Sequence, residues 1–379
     1  MNRLILIGNG FDLAHGLKTS YNDFILWYMK SSFVSASKSN FTDTLMDVRR
    51  SRSLVLTVDT VESLVETYYK NKFEQILPSI ASFGWDDRLS KEPFTVNIKS
   101  ELLRILLTNC SYTTWVDIER EFYELLKGIL GKSEDYSIKQ QHLAELNESL
   151  NFIISKLGEY LKQLPASTYD DRYHEIFKPR LKKFDILLPW SEGPQWRSED
   201  RFEIQRTCVL NFNYTPTAEQ YIHSHESTSP FEIINIHGQL DDEDNSNPII
   251  FGFGDELDDD YLKMERERAK GYFKFIKSFW YFRTSNYWNL IRFIDSSEYQ
   301  IHVLGHSCGL SDRTMLHMIL EHDNCKSIKI FYHGDAITNN YNETTYEVAR
   351  HFNDKALMRR RIVPFNQSER IPQFNDARI

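Results

Sequence analysis

Three residues at the ends of apolar runs carry groups suited to chemistry on a small molecule: His237 in "INIHG", Asn213 in "LNFNYT" and Ser307 in "VLGHSCG". An imidazole titrates near neutral pH and can take or give a proton. A carboxamide can hold a sugar hydroxyl or an attacking water without adding charge. A fourth run opens the chain. In "MNRLILIGNGFDLAHGLK" the apolar Leu4–Ile7 lead into Gly8-Asn9-Gly10, with Asp12 and Gly16 following. Glycines let a strand turn tightly, and the next helix offers free backbone amides to an anion such as a phosphate. Gly8, Asn9, Gly10 and Gly16 are therefore expected around a phosphate. The spacing is G-x-G-x5-G; the commoner G-x-G-x-x-G would need a glycine where Leu13 stands. Asp12 is out of character there. A carboxylate a few ångströms from a phosphate costs about 1–4 kcal/mol, so Asp12 is expected to cap the helix or bond a ribose hydroxyl. A plain glycine turn with a capping Asp12 is the competing reading.

Gly305-His306-Ser307-Cys308-Gly309 also fits G-x-S-x-G, the turn that presents the nucleophile of α/β-hydrolases. Such a site needs an acid and a histidine downstream. Asp335 with His351, or Glu321 with His333, are the available pairs. Little chain remains to hold them, and an esterase has no use for a glycine loop on its first strand, so this reading ranks second. His223-x-His225, His317 and His322 have ligand-like spacing but no third anchored ligand, and no metal is expected. The cysteines Cys110, Cys208, Cys308 and Cys325 form no C-x-x-C pair and no disulfide framework.

These residues need a scaffold. "TCVLNFNYT", "FEIINIHG", "NPIIFGFG", "YQIHVLGHS" and "KSIKIFYHG" read as short buried strands, and helical patterns separate several of them. That alternation predicts an α/β fold with a Rossmann-like parallel sheet. Ligands of such sheets bind at the carboxyl ends of the strands, where Asn9, Asn213, His237 and Ser307 fall. The stretch from about Tyr21 to Leu188 has apolar residues at three- and four-residue intervals and reads as a large α-helical insertion. The expected organisation is a core of residues 1–20 plus 200–353, a helical insertion or cap over 21–199 and a polar tail over 354–379. Among 379 residues, 41% are hydrophobic, enough for a sizeable core, and the net charge of −9 disfavours a general nucleic-acid binder. Arg359, Arg360 and Arg361 read as part of a solvated tail. The N-terminal apolar run is too short for a signal peptide or a membrane span, so a soluble, cytoplasmic protein is expected.

The strand ends resemble those of sirtuin-type NAD-binding domains. Their glycine loop has the G-x-G-x5-G spacing and ends in a pair like Gly16-Leu17. Asn213-Tyr214-Thr215 is similar to their Asn-containing segment, with Thr215 where they have Asp, and His237-Gly238 to their catalytic His-Gly. Gly305 and Ser307 are similar to a late strand end that touches the cofactor. The resemblance implies NAD as substrate, with the glycine loop on the pyrophosphate and His237 and Asn213 as catalytic residues on the ribose or the attacking water. Cleavage of the nicotinamide–ribose bond passes through an oxocarbenium-like centre, as other glycosidic cleavages do. Thr215 cannot accept from the carboxamide as an anion. G-N-G-F-D-x-x-H-G-L, W-x-D-I-E (Trp115, Asp117, Glu119), N-F-N-Y-T, I-H-G and G-H-S joined to S-D together resemble the AbiH family of bacterial abortive-infection proteins. That implies antiphage defence; taken together with the strand-end likeness, it implies that NAD or a related nucleotide is hydrolysed on a trigger such as a phage protein. It also implies Trp115 and Glu119 closing over the site. A non-catalytic nucleotide-binding sensor that signals through the helical insertion is a third reading, and a homo-oligomer is an expected assembly.

Overall fold

The computed structural model describes residues 1–50, 57–70, 93–112, 117–178, 180–182, 185–187, 203–222, 230–240, 246–374 and 376. The chain forms two compact units, Met1–Lys18 with Leu164–Tyr261 and Ile276–Ile379, and Thr19–Gln163 with Leu262–Phe275. The strands are β1 (Asn2–Ile7), β2 (Phe41–Thr42), β3 (Met46–Arg50), β4 (Phe94–Ile98), β5 (Thr207–Asn211), β6 (Phe231–Asn235), β7 (Tyr299–Leu304) and β8 (Cys325–Phe331).

In the first unit five strands make one sheet in the order β6-β5-β1-β7-β8. Every pairing in it is parallel. Numbered along the chain within that sheet, the order is 3-2-1-4-5, the order of doubly wound nucleotide-binding sheets. β1 is central and buried along its whole length. Its side chains alternate between two cores. Leu4 and Leu6 pack with Leu290, Phe293, Met315, Leu316 and Ile319, while Ile5 and Ile7 pack with Phe11, Tyr173, Phe177 and Tyr221. Strands buried on both faces need apolar residues at both parities, which explains the unbroken run Leu4–Ile7. The chain leaves β1 toward β5 and β6 on one side and returns as β7 and β8 on the other. The crevice where these directions diverge lies between β1 and β7.

The boundaries differ from the sequence expectation in three places. Leu262–Phe275, expected in the core, belongs with the helical unit. Residues 164–199 are expected in the helical insertion, but the described part of that stretch belongs with the sheet. The reason is its aromatic face: Tyr173, Ile176 and Phe177 cover one side of β1 and β5. The polar tail is also built in. Asp354 caps the helix Lys355–Arg361, accepting from the amides of Ala356 at 2.7 Å and Leu357 at 3.0 Å. Arg361 is buried and donates to the Leu320 carbonyl at 2.6 Å, so it is not a solvated arginine.

The amino-terminal half of the Ile5 face carries a buried ionic network instead of hydrocarbon. Arg3 donates to the carbonyls of Lys178 and Arg180, each at 2.6 Å. Lys329 reaches Asp185 at 3.2 Å and Glu369 at 2.7 Å, and Gln300 donates to Asp185 at 3.2 Å. Burial lowers the Arg3 pKa to about 10. Asp185 is thus the buried counter-charge for this part of the sheet. Asp185→Ala is expected to cost about 1–3 kcal/mol in urea unfolding, because it removes a buried counter-charge of Arg3 and Lys329 while Glu369 stays 2.7 Å from Lys329. A cost below about 1 kcal/mol would mean that water reaches Lys329.

The second unit holds the helices Tyr21–Lys38, Val58–Lys70, Glu101–Tyr112, Ile118–Gly131 and Tyr136–Leu161. It also contains an antiparallel sheet in the order β2-β3-β4, absent from the purely helical expectation. "MDVRR" and "FTVNI" alternate buried and more exposed residues, a period-2 signal hidden among longer helical ones. No described helix is long and apolar enough to cross a membrane.

Candidate functional site

The glycine loop is organised around the β7 loop. The Gly10 amide donates to the Gly305 carbonyl at 2.8 Å, and the Phe11 amide donates to the Gly8 carbonyl at 2.8 Å. A Cβ on Gly8 would lie 2.7 Å from His306 Cα, and one on Gly10 would lie 2.7 Å from the Gly305 oxygen. Glycine is required here because two backbones touch across the crevice. Two of the amides expected at a phosphate are thereby already bonded. Gly16 has φ +82° and closes the helix Asn9–Ala14: its amide donates to Leu13 and that of Leu17 to Asp12, which is the paired pattern of a left-handed helix stop. Asn9 opens the same helix and is partly exposed.

Asp12 does not cap that helix, whose N-cap is Gly8 without a side-chain bond. Its buried carboxylate accepts from Thr215 Oγ1 at 2.5 Å, and Oδ1 has no hydrogen-bond partner among the described residues. Burial lifts its pKa from 3.8 to about 6, opposed by its hydrogen-bonding neighbours, Thr215 first. The folded state binds this proton more tightly than the unfolded state, so the cost of the buried charge is fully present above about pH 6 and is relieved as pH falls toward 3.8. The full span amounts to about 3 kcal/mol. Asp12→Asn should remove this component, so its stability should gain less than the wild type's between pH 7 and pH 5 in urea titrations.

Asn213 pins the end of β5 to the glycine loop. Its amide nitrogen donates to the Gly8 carbonyl at 3.1 Å, and its backbone amide donates to Asn211 Oδ1 at 3.1 Å. His237 follows β6 and precedes Gly238, whose φ of +84° carries the chain past Pro248. His237 Nε2 lies 3.0 Å from Asp312 Oδ1 and 3.3 Å from the Tyr281 hydroxyl. The Lys277 ammonium donates to the same Asp312 oxygen at 2.9 Å, and His306 Nε2 lies 4.0 Å from Oδ2. Phe212 packs between the two histidines, 5.1 Å from His237 and 4.1 Å from His306. Lys277 has no exposed surface, and the other charged members are nearly as deep.

Electrostatics fixes the charge states. Burial favours a neutral Asp312, but the Lys277 ammonium overrides it, helped by the hydrogen bond with His237, and the carboxyl is held well below the usual range. Burial lowers the His237 pKa, with Lys277 adding to the effect. Burial also pushes His306 down to about 4. The cluster at neutral pH is thus an anion, a cation and two neutral imidazoles. Asp312 and Tyr281 also line a cavity of about 100 Å³ with Gly254, Glu256, Ser278, Phe282, Tyr287, Thr314 and Met315. His237 touches both Asp312 and Tyr281 but is not itself in that wall. The glycine loop and Asn213 are not in it either. They join the cluster through His306, which packs on Gly8.

The chain matches the family model for bacteriophage abortive infection AbiH over residues 4–333. It belongs to the AbiH family. No curated protein and no solved structure matches it. The matched span contains His237, Lys277, His306 and Asp312, and family membership places the protein in phage abortive infection.

Ser307 is exposed, and the positive φ of 55° falls on Cys308 rather than on the serine. His351 Nε2 lies 2.7 Å from the Cys308 carbonyl oxygen, and its Nδ1 has no partner among the described residues, so it is not paired with Asp335. Asp335 instead accepts from the amides of Ile337 and Thr338. Glu321 accepts from the amides of Asn353 and Asp354, and His333 is exposed. Neither hydrolase pair is assembled. His223 and His225 lie outside the described residues, as does Trp115; Glu119 is buried within the helical unit. His317 and His322 face different partners, the His351 carbonyl and Asp295. All four cysteines are buried and free. Sequence reasoning missed Lys277 and Tyr281, and saw His306 and Asp312 only as members of motifs. A lysine inside the aromatic run "YFKFIKSFWYF" was the available signal for Lys277.

Proposed function

We propose that the sheet unit is a nucleotide-binding core related to the sirtuin type, and that it hydrolyses the N-glycosidic bond of NAD or a related nucleotide when phage infection triggers it. The observation that carries this reading is Asp312: a carboxylate held ionised by a wholly buried lysine, facing a cavity at the carboxyl edge of the sheet. Glycosidic cleavage develops positive charge on the sugar, and a fixed anion beside that charge lowers the barrier. The C1′–N bond breaks and its electron pair returns to the ring nitrogen. Water oxygen bonds to C1′, and the proton it sheds goes to solvent. Asp312 is too weak a base to take that proton; it stabilises charge and orients the water. His237 and Lys277 both hold its Oδ1 in place. Asn213 and the glycine contacts hold the strand-end loops together, with Gly305 at their meeting point.

The test is release of nicotinamide from NAD by the purified chain and in phage-infected cells, with wild type and Asp312→Asn. Release that the variant keeps at the wild-type rate, or no release by wild type in either setting, would sink the reading. The serine-hydrolase alternative gains no support from the exposed Ser307. A pure sensor would keep its signalling in Asp312→Asn provided that it still binds its ligand.

A further inference from the structure

We infer that the cavity beside Asp312 seats a positively charged aromatic ring, so that the site's substrates are nucleosides with a cationic base rather than neutral purines or pyrimidines. This inference rests on the hydrolytic reading above and narrows its substrate class. At about 100 Å³ the cavity is smaller than the ~300–1,000 Å³ of sites that enclose a whole small molecule. It is nearer the ~150 Å³ that accepts one benzene ring. That is room for one flat ring at most, so the rest of a nucleotide would lie outside.

The walls point the same way. Tyr281 and Tyr287 stack with centroids 5.6 Å apart and planes within 5° of each other, and Phe282 adds a third ring. The charged groups in the lining are both acidic, Asp312 and Glu256. The balancing cation, Lys277, is completely buried and is not in the wall, so the cavity faces carboxylate rather than ammonium. Thr314 Oγ1 accepts from the Glu256 backbone amide at 3.0 Å, which fixes that segment at the rim. Aromatic faces and carboxylates both attract a cation, and neither discriminates in favour of a neutral ring. In a pyridinium nucleoside, cleavage returns the bonding pair to the ring nitrogen, so the ring becomes neutral as positive charge moves to C1′. A wall built for a cation then holds the departing ring less tightly than it held the substrate, which favours release.

The experiment measures binding without turnover, using the full-length chain and two probes that share a ring: 1-methylnicotinamide, a cation, and nicotinamide, which is neutral. Calorimetric titration should show the cation binding about tenfold more tightly. Glu256→Gln and Tyr287→Ala should each weaken the cation more than the neutral probe and narrow the gap. Glu256→Gln alters a partly exposed side chain, so it remains informative if Tyr287→Ala unfolds. Equal affinities, no binding of either probe, or a preference unchanged in Glu256→Gln would overturn the assignment. The two readings fail separately. A chain that prefers the cation but never releases nicotinamide from NAD keeps the cavity assignment and loses the hydrolysis. One that hydrolyses NAD without charge preference does the reverse.

Discussion

Asp312→Asn is expected to lower nicotinamide release from NAD by about 10²–10³-fold, the range seen when a single preorganised charge-stabilising group is removed. The change keeps the shape of the side chain and removes its charge. The Lys277 charge is then left without its anion behind the cavity wall, so the net field there turns positive and opposes the reaction instead of assisting it. The same substitution should reduce stability by about 3–5 kcal/mol, because one member of a buried ion pair is left alone. The double variant Lys277→Met with Asp312→Asn separates the two effects. It should recover most of the stability, since no unpaired charge remains, and none of the rate. Recovery of the rate along with the stability would show that Asp312 serves folding only. The pair is suited to this test because its members share one short contact, 2.9 Å, and are both buried.

The second large effect is on folding. Gly305→Ala should destabilise the protein by about 3–5 kcal/mol in urea unfolding, the range reserved for changes that break a specific structural feature. Two causes add. At φ +75° an alanine is strained by about 1–2 kcal/mol. Its Cβ would also stand 2.2 Å from the Phe11 nitrogen and 2.6 Å from the Gly10 carbonyl carbon, both backbone atoms that cannot swing away. The β1 and β7 loops must separate, which breaks the 2.8 Å bond from the Gly10 amide to the Gly305 carbonyl. Gly309 is the control in the same loop. A Cβ there meets only Ser307 Oγ at 3.7 Å, with φ −68°, so Gly309→Ala should change stability by less than about 1 kcal/mol. Equal effects at the two positions would mean that close packing of the loops is not what requires glycine.

Much of the sheet is legible in the order of residues alone. The strands that end near Gly8, Asn213, His237 and Ser307 all show as short apolar runs bounded by turn residues; β1, β5 and β7 are buried on both faces and leave a dense local signal, and the half-buried edge strand β6 keeps enough apolar residues to be read. The role of the glycines is harder to read. A glycine turn that cradles a phosphate and one that lets two loops touch demand the same residue, and only the 2.8 Å contact between Gly10 and Gly305 distinguishes them. Asp12 misleads for a similar reason. Its place in the helix suggests a cap, but its partner, Thr215, comes from a different strand end. The small sheet of β2, β3 and β4 is lost among longer helical periods. Residues 164–199 look like insertion because their aromatic face is visible in the sequence while its target is not.

The amino-acid sequence by itself determined that this is an α/β protein of the AbiH family, with histidine and asparagine at the carboxyl ends of its strands. Those are consequences of residue type and local period, which the chain carries at every point. The tertiary structure alone decided which carboxylate faces the cavity and which cation holds it ionised. Asp312 meets His237 across 75 residues and Lys277 across 35, and no local pattern records that meeting. It exists because the sheet order sets β1 between β5 and β7, drawing their loops to one edge, where burial strengthens every charge that remains.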